Sequence, residues 1–432
     1  MKKNVVFTIC AKNYIGLAKV LEHSIKKFNN DVIFYIFIAD DVDPDLLKSL
    51  PDNVVVSKNI LSSQISETEW NEMAFKYNLT EFCTSIKPFC FKYLFDYQLA
   101  DNVIYLDPDI YFFSNINSIF SLLNQYKIIL TPHITQISEK YEGDRPELGL
   151  LSSGVYNLGF LALSKSPEAE KLLIWWGNRL RTFCFIDPID GSFTDQRWMD
   201  FIPCFFESNT LLVSKNKGLN LAPWNFFERK IIVKEDNLLV ENRQKIDGIT
   251  LSVDILIFAH FSGYNYKSIL NGKIEQNNIP NLKNYEDINF LCRIYMNALV
   301  EHESDILKFI KEEYTYNQFD NGIAITNIHR RLYRALIDIG DCLGNPFSTI
   351  KSSYFEKLKK AKLLSYGNGV IDKVNKANLR GIENKMKKIN FIMKFIFKIL
   401  GVDKYTLLIR FFRPYSRFEN QIFLLDKDKN LL

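Results

Sequence analysis

Residues 31–39 read DVIFYIFIA, a near-continuous run of β-branched and aromatic residues that stops at Asp40-Asp41. Side chains alternate between the two faces of a strand, so a run apolar at every position is buried on both faces. That is the condition of an inner strand of a parallel sheet covered by helices above and below. A second run of this kind, at 5–10, breaks at Ala11-Lys12-Asn13-Tyr14, after which Leu17, Leu21, Ile25 and Phe28 recur at helical spacing. Val54–Val56 reads as a third strand, 86–97 as a helix, and Asn102–Leu106 (NVIYL) as a buried strand running directly into Asp107-Pro108-Asp109. Strand runs return at 155–163 and 254–261, and helices are predicted at 167–181 and around 196–201. Alternating strands and helices imply an α/β chain with a doubly wound sheet, whose ligands gather at the carboxyl ends of its strands.

Beyond residue 285 the strand signals stop, and 288–313, 323–343, 354–364 and 379–400 read as helices separated by Gly, Asn and Pro. The expectation is a catalytic α/β domain over 1–285 followed by a helical C-terminal region over 286–432. With 432 residues, 47% of them hydrophobic and 24% charged, the chain has ample material for a core, and disorder is excluded as its general state. The net charge of +4 hides an asymmetry: between Lys351 and Arg417 seventeen Lys and Arg stand against four Asp and Glu, so the remainder is net negative. Such a basic end points to an anionic partner, a membrane surface or a polyanion. Ile382, Met386, Ile389, Met393, Ile396 and Leu400 keep a 4-3 spacing with lysines between them. That pattern fits a helix lying in a membrane interface and, equally, a helix docked on the catalytic domain with its lysines in water.

The first residues have too short an apolar stretch for a secretory signal, and 389–400 is interrupted by Lys394 and Lys398. The expected location is cytoplasmic, with peripheral attachment at the inner face of the cytoplasmic membrane. Seven scattered cysteines without a C-x-x-C pair read as reduced core residues, against a zinc site.

The chemistry concentrates in YLDPDIYFF, 105–113, where two carboxylates one residue apart follow a buried strand. The pair can face one hard cation, Mn²⁺ or Mg²⁺, which would neutralise charge developing on a departing diphosphate. A plain Asp-Pro turn closing a strand accounts for the acid pair alone equally well. His260 ends an apolar run and can supply a third ligand. Asn157 and Gly159 interrupt the apolar VYNLGFLAL, where packing gives no reason for an amide. Asp195 can cap the helix it opens. Trp224 can stack on a sugar or fill a core.

In their order along the chain, ICAKNYIGLAKVLEHSIKK, TSIKPFCFKYLF, VIYLDPDI, SSGVYNLGFLALSKS, TDQRWMDFIP, LAPWN and FAHFSGY resemble the GT-A glycosyltransferases, particularly glycosyltransferase family 8 and its bacterial relatives. The resemblance spans roughly residues 4 to 270. It implies a GT-A fold and a metal-dependent hexosyltransferase that uses a UDP-sugar, retains anomeric configuration and acts on a glycan, lipid-linked or protein acceptor in cell-surface glycan synthesis; no nucleic acid is expected. Thr8, Ala11, Asn13 and Tyr14 would hold uridine, and Lys87 the donor phosphates or sugar. Asn157 and Gly159 would address the donor sugar. Gln196 would lie beneath the anomeric carbon with Asp195 on nearby hydroxyls, while Asp107, Asp109 and His260 bind the metal. The family's His-x-x-Gly-x-x-Lys is matched at His260 and Gly263, with Lys267 one residue late. An inverting enzyme would need a base, for which Asp190 or Asp195 is available. A non-catalytic sugar-binding protein would share the fold. A nucleotidyltransferase would carry a Gly-rich, lysine-containing loop after the first strand, and ICAKNYIG is not one.

Overall fold

The computed structural model describes residues 2–137, 139–187, 191–235, 237–244, 252–279, 282–341, 344–364 and 382–426, and in it the apolar runs assemble into one sheet. Its strands are β1 (Asn4–Cys10), β2 (Ile33–Ile38), β3 (Val54–Val56) and β4 (Asn102–Leu106). A short strand, β5 (Ile110–Phe112), leaves this sheet, which continues with β6 (Ile128–Leu130), β7 (Phe160–Ser164) and β8 (Leu211–Val213). The spatial order is β8-β6-β7-β4-β1-β2-β3, with β7 antiparallel to both of its neighbours and all other pairs parallel. This is the mixed, Rossmann-like α/β sheet that the GT-A expectation required.

Period-two alternation sorts the core. Val6, Phe34, Ile36 and Ile104 share one cluster with Ile15, Ala18, Leu21 and Ile25 of the helix Ile15–Lys26. Phe7 turns the other way and meets Phe91, from the helix Lys87–Asp96, at 4.8 Å and Tyr105 at 5.2 Å, both edge to face. Because β1 and β4 are parallel, the loops that follow them, at Ala11 and at Asp107, emerge at the same edge.

Later in the chain come a hairpin of β9 (Arg229–Lys234) and β10 (Asn237–Asn242), and then β11 (Phe258–His260), which pairs antiparallel with β5. In that pairing His260 stands opposite Ile110. The run at 254–261 is thus two strands, since Asp254–Ile255 joins β10 and β11 joins β5. The run at 155–163 becomes a ladder only from Phe160; before it, Tyr156 makes an isolated bridge with Pro132, and the Gly159 carbonyl accepts from the backbone N–H of Asp107 at 2.8 Å. Of the seven cysteines, Cys10, Cys90, Cys184 and Cys292 are buried, Cys83 is half-buried and Cys204 is exposed; Cys342 lies outside the described residues.

The chain divides into two compact units, Met1–Ile65 with Leu79–Tyr314, and Ser66–Asn78 with Thr315–Leu432. Residues 286–314, assigned by pattern to the C-terminal region, lie in the first unit, where Ile288, Leu291, Tyr295 and Leu299 pack in one cluster with Leu17, Val20 and Phe261. The second unit is organised around Arg330, buried on the helix Asn327–Asp338. Its guanidinium donates to the carbonyls of Ala74, Phe75 and Tyr77 at 3.2, 2.7 and 2.8 Å and to that of Tyr316 at 2.8 Å. Glu419 binds Arg334 at 2.8 Å, so the segment Phe418–Leu424 returns to this core. Before it, Ile382–Phe412 is helical, broken at Gly401 (φ 71°), and buries none of its residues. Among the described residues no helix is long and apolar enough to cross a membrane.

Candidate active site

Asp107 and Asp109 sit in the turn between β4 and β5, and His260 is the last residue of β11, so one β5–β11 pairing carries the imidazole to the acids. His260 Nε2 lies 3.1 Å from Asp109 Oδ1 and 3.7 Å from Asp107 Oδ2. One ligand atom from each of the three residues falls within 4.8 Å of the others. Ligands on opposite sides of an ion at roughly 2.2 Å stand about 4.4 Å apart, so two carboxylates and an imidazole at this span fit a Mn²⁺- or Mg²⁺-sized cation after small shifts. Tyr105, two residues before the first acid, donates its hydroxyl to Asp107 Oδ1 at 2.5 Å and holds that carboxylate in place. Burial pulls the His260 pKa down, but the Asp109 carboxylate, aided by Asp107, outweighs it and holds the group above its usual value.

The glycine and the amide in VYNLGFLAL stand beside this cluster. A Cβ at Gly159 would lie 2.5 Å from His260 Cε1 and 2.7 Å from its Nδ1. The missing side chain therefore admits the imidazole. Asn157, buried, accepts through Oδ1 from the Gly159 N–H at 3.1 Å and from Asn220 Nδ2 at 3.0 Å, and the same oxygen meets His260 Nδ1 at 3.2 Å. Its Nδ2 donates to Gln196 Oε1 at 3.3 Å. Gln196 also receives the Leu158 N–H at 3.1 Å and donates to the Ser153 carbonyl at 2.7 Å.

Lys87 is only 1% exposed. Its ammonium pairs with Asp195 at 2.8 Å, donates to the Leu158 carbonyl at 2.9 Å and stands 4.2 Å above the Tyr105 ring and 4.0 Å from Asp107. Burial raises the Asp195 pKa, and Lys87 opposes the rise. Lys87 and Asp195 thus form a dry ion pair whose positive end lies beside the acid cluster. Asp190, the other base considered, lies outside the described residues.

A cleft of about 270 Å³ opens over the same strand ends, lined by Ala11, Tyr14, Thr80, Tyr105, Asp107 and Asp109 among others. Burial, with Tyr266 and Asp109 adding to it, pushes the Tyr14 hydroxyl up to about 12. Asn13 is in the turn Lys12–Tyr14, its Oδ1 shielded and without a protein partner, and Thr8 is fully buried on β1 behind the cleft lining. Gly263 has φ +81° and no room for a Cβ, which would meet Asn278 Nδ2 at 2.2 Å. Lys267 is exposed on the helix Tyr266–Leu270. Trp224, 2% exposed, is a core residue, edge-on to His260 at 5.2 Å and to His133 at 5.1 Å. Asn225 spends its amide on Ala222, Asn220 and His133 backbone. Of the two readings given for Trp224, the core is the one observed, while Tyr105 and Asn220 were not foreseen as parts of this site; only the position of Tyr105, two residues before Asp107, was a usable signal.

Residues 5–170 match the family described as Glycosyl transferase family 8, a span that includes Asp107, Asp109, Asn157 and Gly159. Two proteins of Bacillus subtilis (strain 168) are similar: uncharacterized protein YfnF, 25% identical over 269 residues covering 61% of this chain and 82% of its own, and uncharacterized protein YfnD, 26% identical over 263 residues covering 60% and 76%. Among solved structures, the galactosyltransferase LgtC in complex with donor and acceptor sugar analogs aligns at 15% identity over 60% of this chain and 87% of its own, with a TM-score of 0.35. The apo-form glycosyltransferase GlyE of Streptococcus pneumoniae TIGR4 aligns at 13% identity over 51% and 46%, with a TM-score of 0.32. The resemblance drawn from the motifs holds, and the enzyme class is that of a glycosyltransferase.

Proposed function

We propose that this glycosyltransferase transfers a hexose from a UDP-sugar to a glycan, lipid-linked or protein acceptor, with Mn²⁺ or Mg²⁺ held by Asp107, Asp109 and His260 and with retention of anomeric configuration. The observation that carries the reading is the convergence of those three side chains within 4.8 Å at the carboxyl ends of the strands, above a cleft. A bound cation would neutralise charge on the departing diphosphate. The chain's own contribution is placement. Ala11, Asn13 and Tyr14 line or flank the cleft as the uridine seat, with Thr8 behind them, and the unpartnered Asn13 Oδ1 is an acceptor suited to a base N–H. Lys87, drawn into a dry site by Asp195, adds a fixed positive charge next to Asp107, where phosphate oxygens would collect. Gly263 and Lys267, beyond His260, frame the phosphate side. Gln196 is held rigidly by its three bonds beneath the sugar, with Asp195 beside it.

Incubation of the purified protein with a panel of UDP-hexoses and Mn²⁺ is expected to release UDP from at least one of them, to stop with EDTA and to resume with added Mn²⁺. Absence of UDP release from every donor at saturating Mn²⁺ would overturn the proposal.

A pH dependence follows from the imidazole. A ligating His260 must be neutral, and its pKa in the metal-free protein is raised, so protons compete with the cation at pH values above the ordinary value of about 6.5. Mn²⁺ affinity is therefore expected to fall as pH is lowered, beginning above the ordinary imidazole value of about 6.5, with uptake of Mn²⁺ releasing a proton there. Calorimetry in buffers of different ionisation enthalpy measures both; a pH-independent affinity would contradict the assignment of His260.

The basic helix belongs to the same reading, as a peripheral contact with the anionic inner face of the cytoplasmic membrane. Ile389, Phe391, Ile399 and Phe411 are 57%, 73%, 66% and 62% exposed, with Lys387, Lys394 and Lys398 among them. Exposed apolar side chains interleaved with lysines suit headgroups over an acyl boundary, at about 1 kcal/mol per basic residue. Truncation is a poor test, because it removes Glu419 from Arg334. Replacing Lys385, Lys387, Lys388, Lys394 and Lys398 by Gln is expected to lower binding to phosphatidylserine-containing vesicles at least tenfold while UDP release persists. Unchanged vesicle binding would remove the membrane from the proposal.

A further inference from the structure

We infer that Asn157 is a positioning residue: one amide fixes the tautomer and ring orientation of His260 at one end and the rotamer of Gln196 at the other. The inference rests on the metal reading above and replaces the expected contact of Asn157 with donor-sugar hydroxyls.

Backbone groups whose polarity is not in question fix the direction of each bond. The Gly159 N–H can only donate, so the Asn157 atom 3.1 Å from it is the oxygen. That same oxygen faces His260 Nδ1 at 3.2 Å, so Nδ1 carries a proton when the imidazole is neutral. The neutral ring then has its lone pair on Nε2, the nitrogen 3.1 Å from Asp109 and 3.7 Å from Asp107. The Leu158 N–H likewise identifies the Gln196 oxygen, leaving Asn157 Nδ2 as its second donor and Gln196 Nε2 directed to the Ser153 carbonyl.

With donors from Gly159, Asn220 and His260, the Asn157 oxygen has no capacity left for a sugar hydroxyl. Asn220 is itself anchored, since its Nδ2 also donates to Thr131 Oγ1 at 2.9 Å. Outer partners of this kind set ligand orientation and basicity, and their loss costs 10–100-fold in metal affinity.

The test separates the two ends of the amide. Asn157→Ala is expected to weaken Mn²⁺ binding by roughly 10–100-fold with no sugar present, measured by calorimetry with and without UDP. Asn157→Asp keeps an acceptor for His260 and loses the donor to Gln196. It is expected to bind Mn²⁺ as tightly as the wild type or more so, while kcat falls and donor KM stays within about threefold; it also carries the test should the Ala variant fail to fold. Wild-type Mn²⁺ affinity in Asn157→Ala, with a raised donor KM alone, would place Asn157 on the sugar and overturn the inference. Loss of Mn²⁺ affinity in Asn157→Asp equal to that in Asn157→Ala would do the same. A wild-type protein that takes up no Mn²⁺ in either condition overturns the metal reading itself, an outcome distinct from the other two.

Discussion

Asp109→Asn is expected to yield a folded protein whose Mn²⁺-dependent transfer is lower by at least about a thousandfold, on the order of 4 kcal/mol of transition-state stabilisation. The substitution keeps the shape of the side chain and removes its charge, turning an oxygen 3.1 Å from His260 Nε2 into part of a neutral amide. A cation site of two carboxylates and an imidazole would then retain one carboxylate, and charge on the departing diphosphate would go largely unopposed. Folding is not at stake. The Asp109 side chain is 31% exposed, so no cavity opens, and its carbonyl still accepts from the Phe261 N–H. The melting temperature is expected to stay within a few degrees. His260→Ala should lose turnover to a similar extent. Turnover that survives either change with its Mn²⁺ dependence intact would sink the site.

The second large effect comes from a residue with no side chain. Gly159→Ala would place a methyl group 2.5 Å from the His260 ring and 2.8 Å from Asn157 Oδ1. Neither neighbour can retreat freely, since the ring is flanked edge-on by Trp224 and Asn157 is tied to Asn220 and Gln196. The glycine backbone cannot move away either, with its N–H bonded to Asn157 and its carbonyl to the Asp107 N–H. The expected outcome is a swung imidazole and a loss of Mn²⁺ affinity of at least about a hundredfold, with an overpacking cost of about 1–3 kcal/mol visible as a lower melting temperature. An Ala variant with wild-type Mn²⁺ affinity would show that the imidazole is not a ligand in the position described.

What could be read before folding follows the range of each signal. Asp107 and Asp109 are one residue apart beside an apolar strand, and Asn102–Leu106 was legible to the residue because its whole pattern is local. His260 was legible as the end of a strand, although its β5 partner, three residues long, carries too few positions to show a period. Lys87 is different. Its burial depends on Asp195, 108 positions later, and no local pattern distinguishes a dry lysine from a solvated one. Asn157 was noticed as an anomaly, but whether an amide faces a ligand or two neighbouring side chains is decided by Asn220, Gln196 and His260, all distant in sequence. The helix Glu67–Lys76 belongs to the second unit for the same reason: its carbonyls are claimed by Arg330.

That claim has a consequence for the time course of synthesis. The carbonyls of Ala74, Phe75 and Tyr77 wait for a guanidinium more than 250 residues downstream, and Trp70 waits for the hydroxyl of Tyr316, its partner at 2.8 Å. At roughly 5–20 residues per second a ribosome needs about 13–50 s to cover that distance. Through this interval the strands β1 to β4 have all been made, yet the segment Ser66–Asn78 between them has no finished counterpart. A ribosome stalled between β8 and residue 330 therefore leaves a nascent chain whose sheet strands have all been made but whose Ser66–Asn78 segment is open to proteases and chaperones.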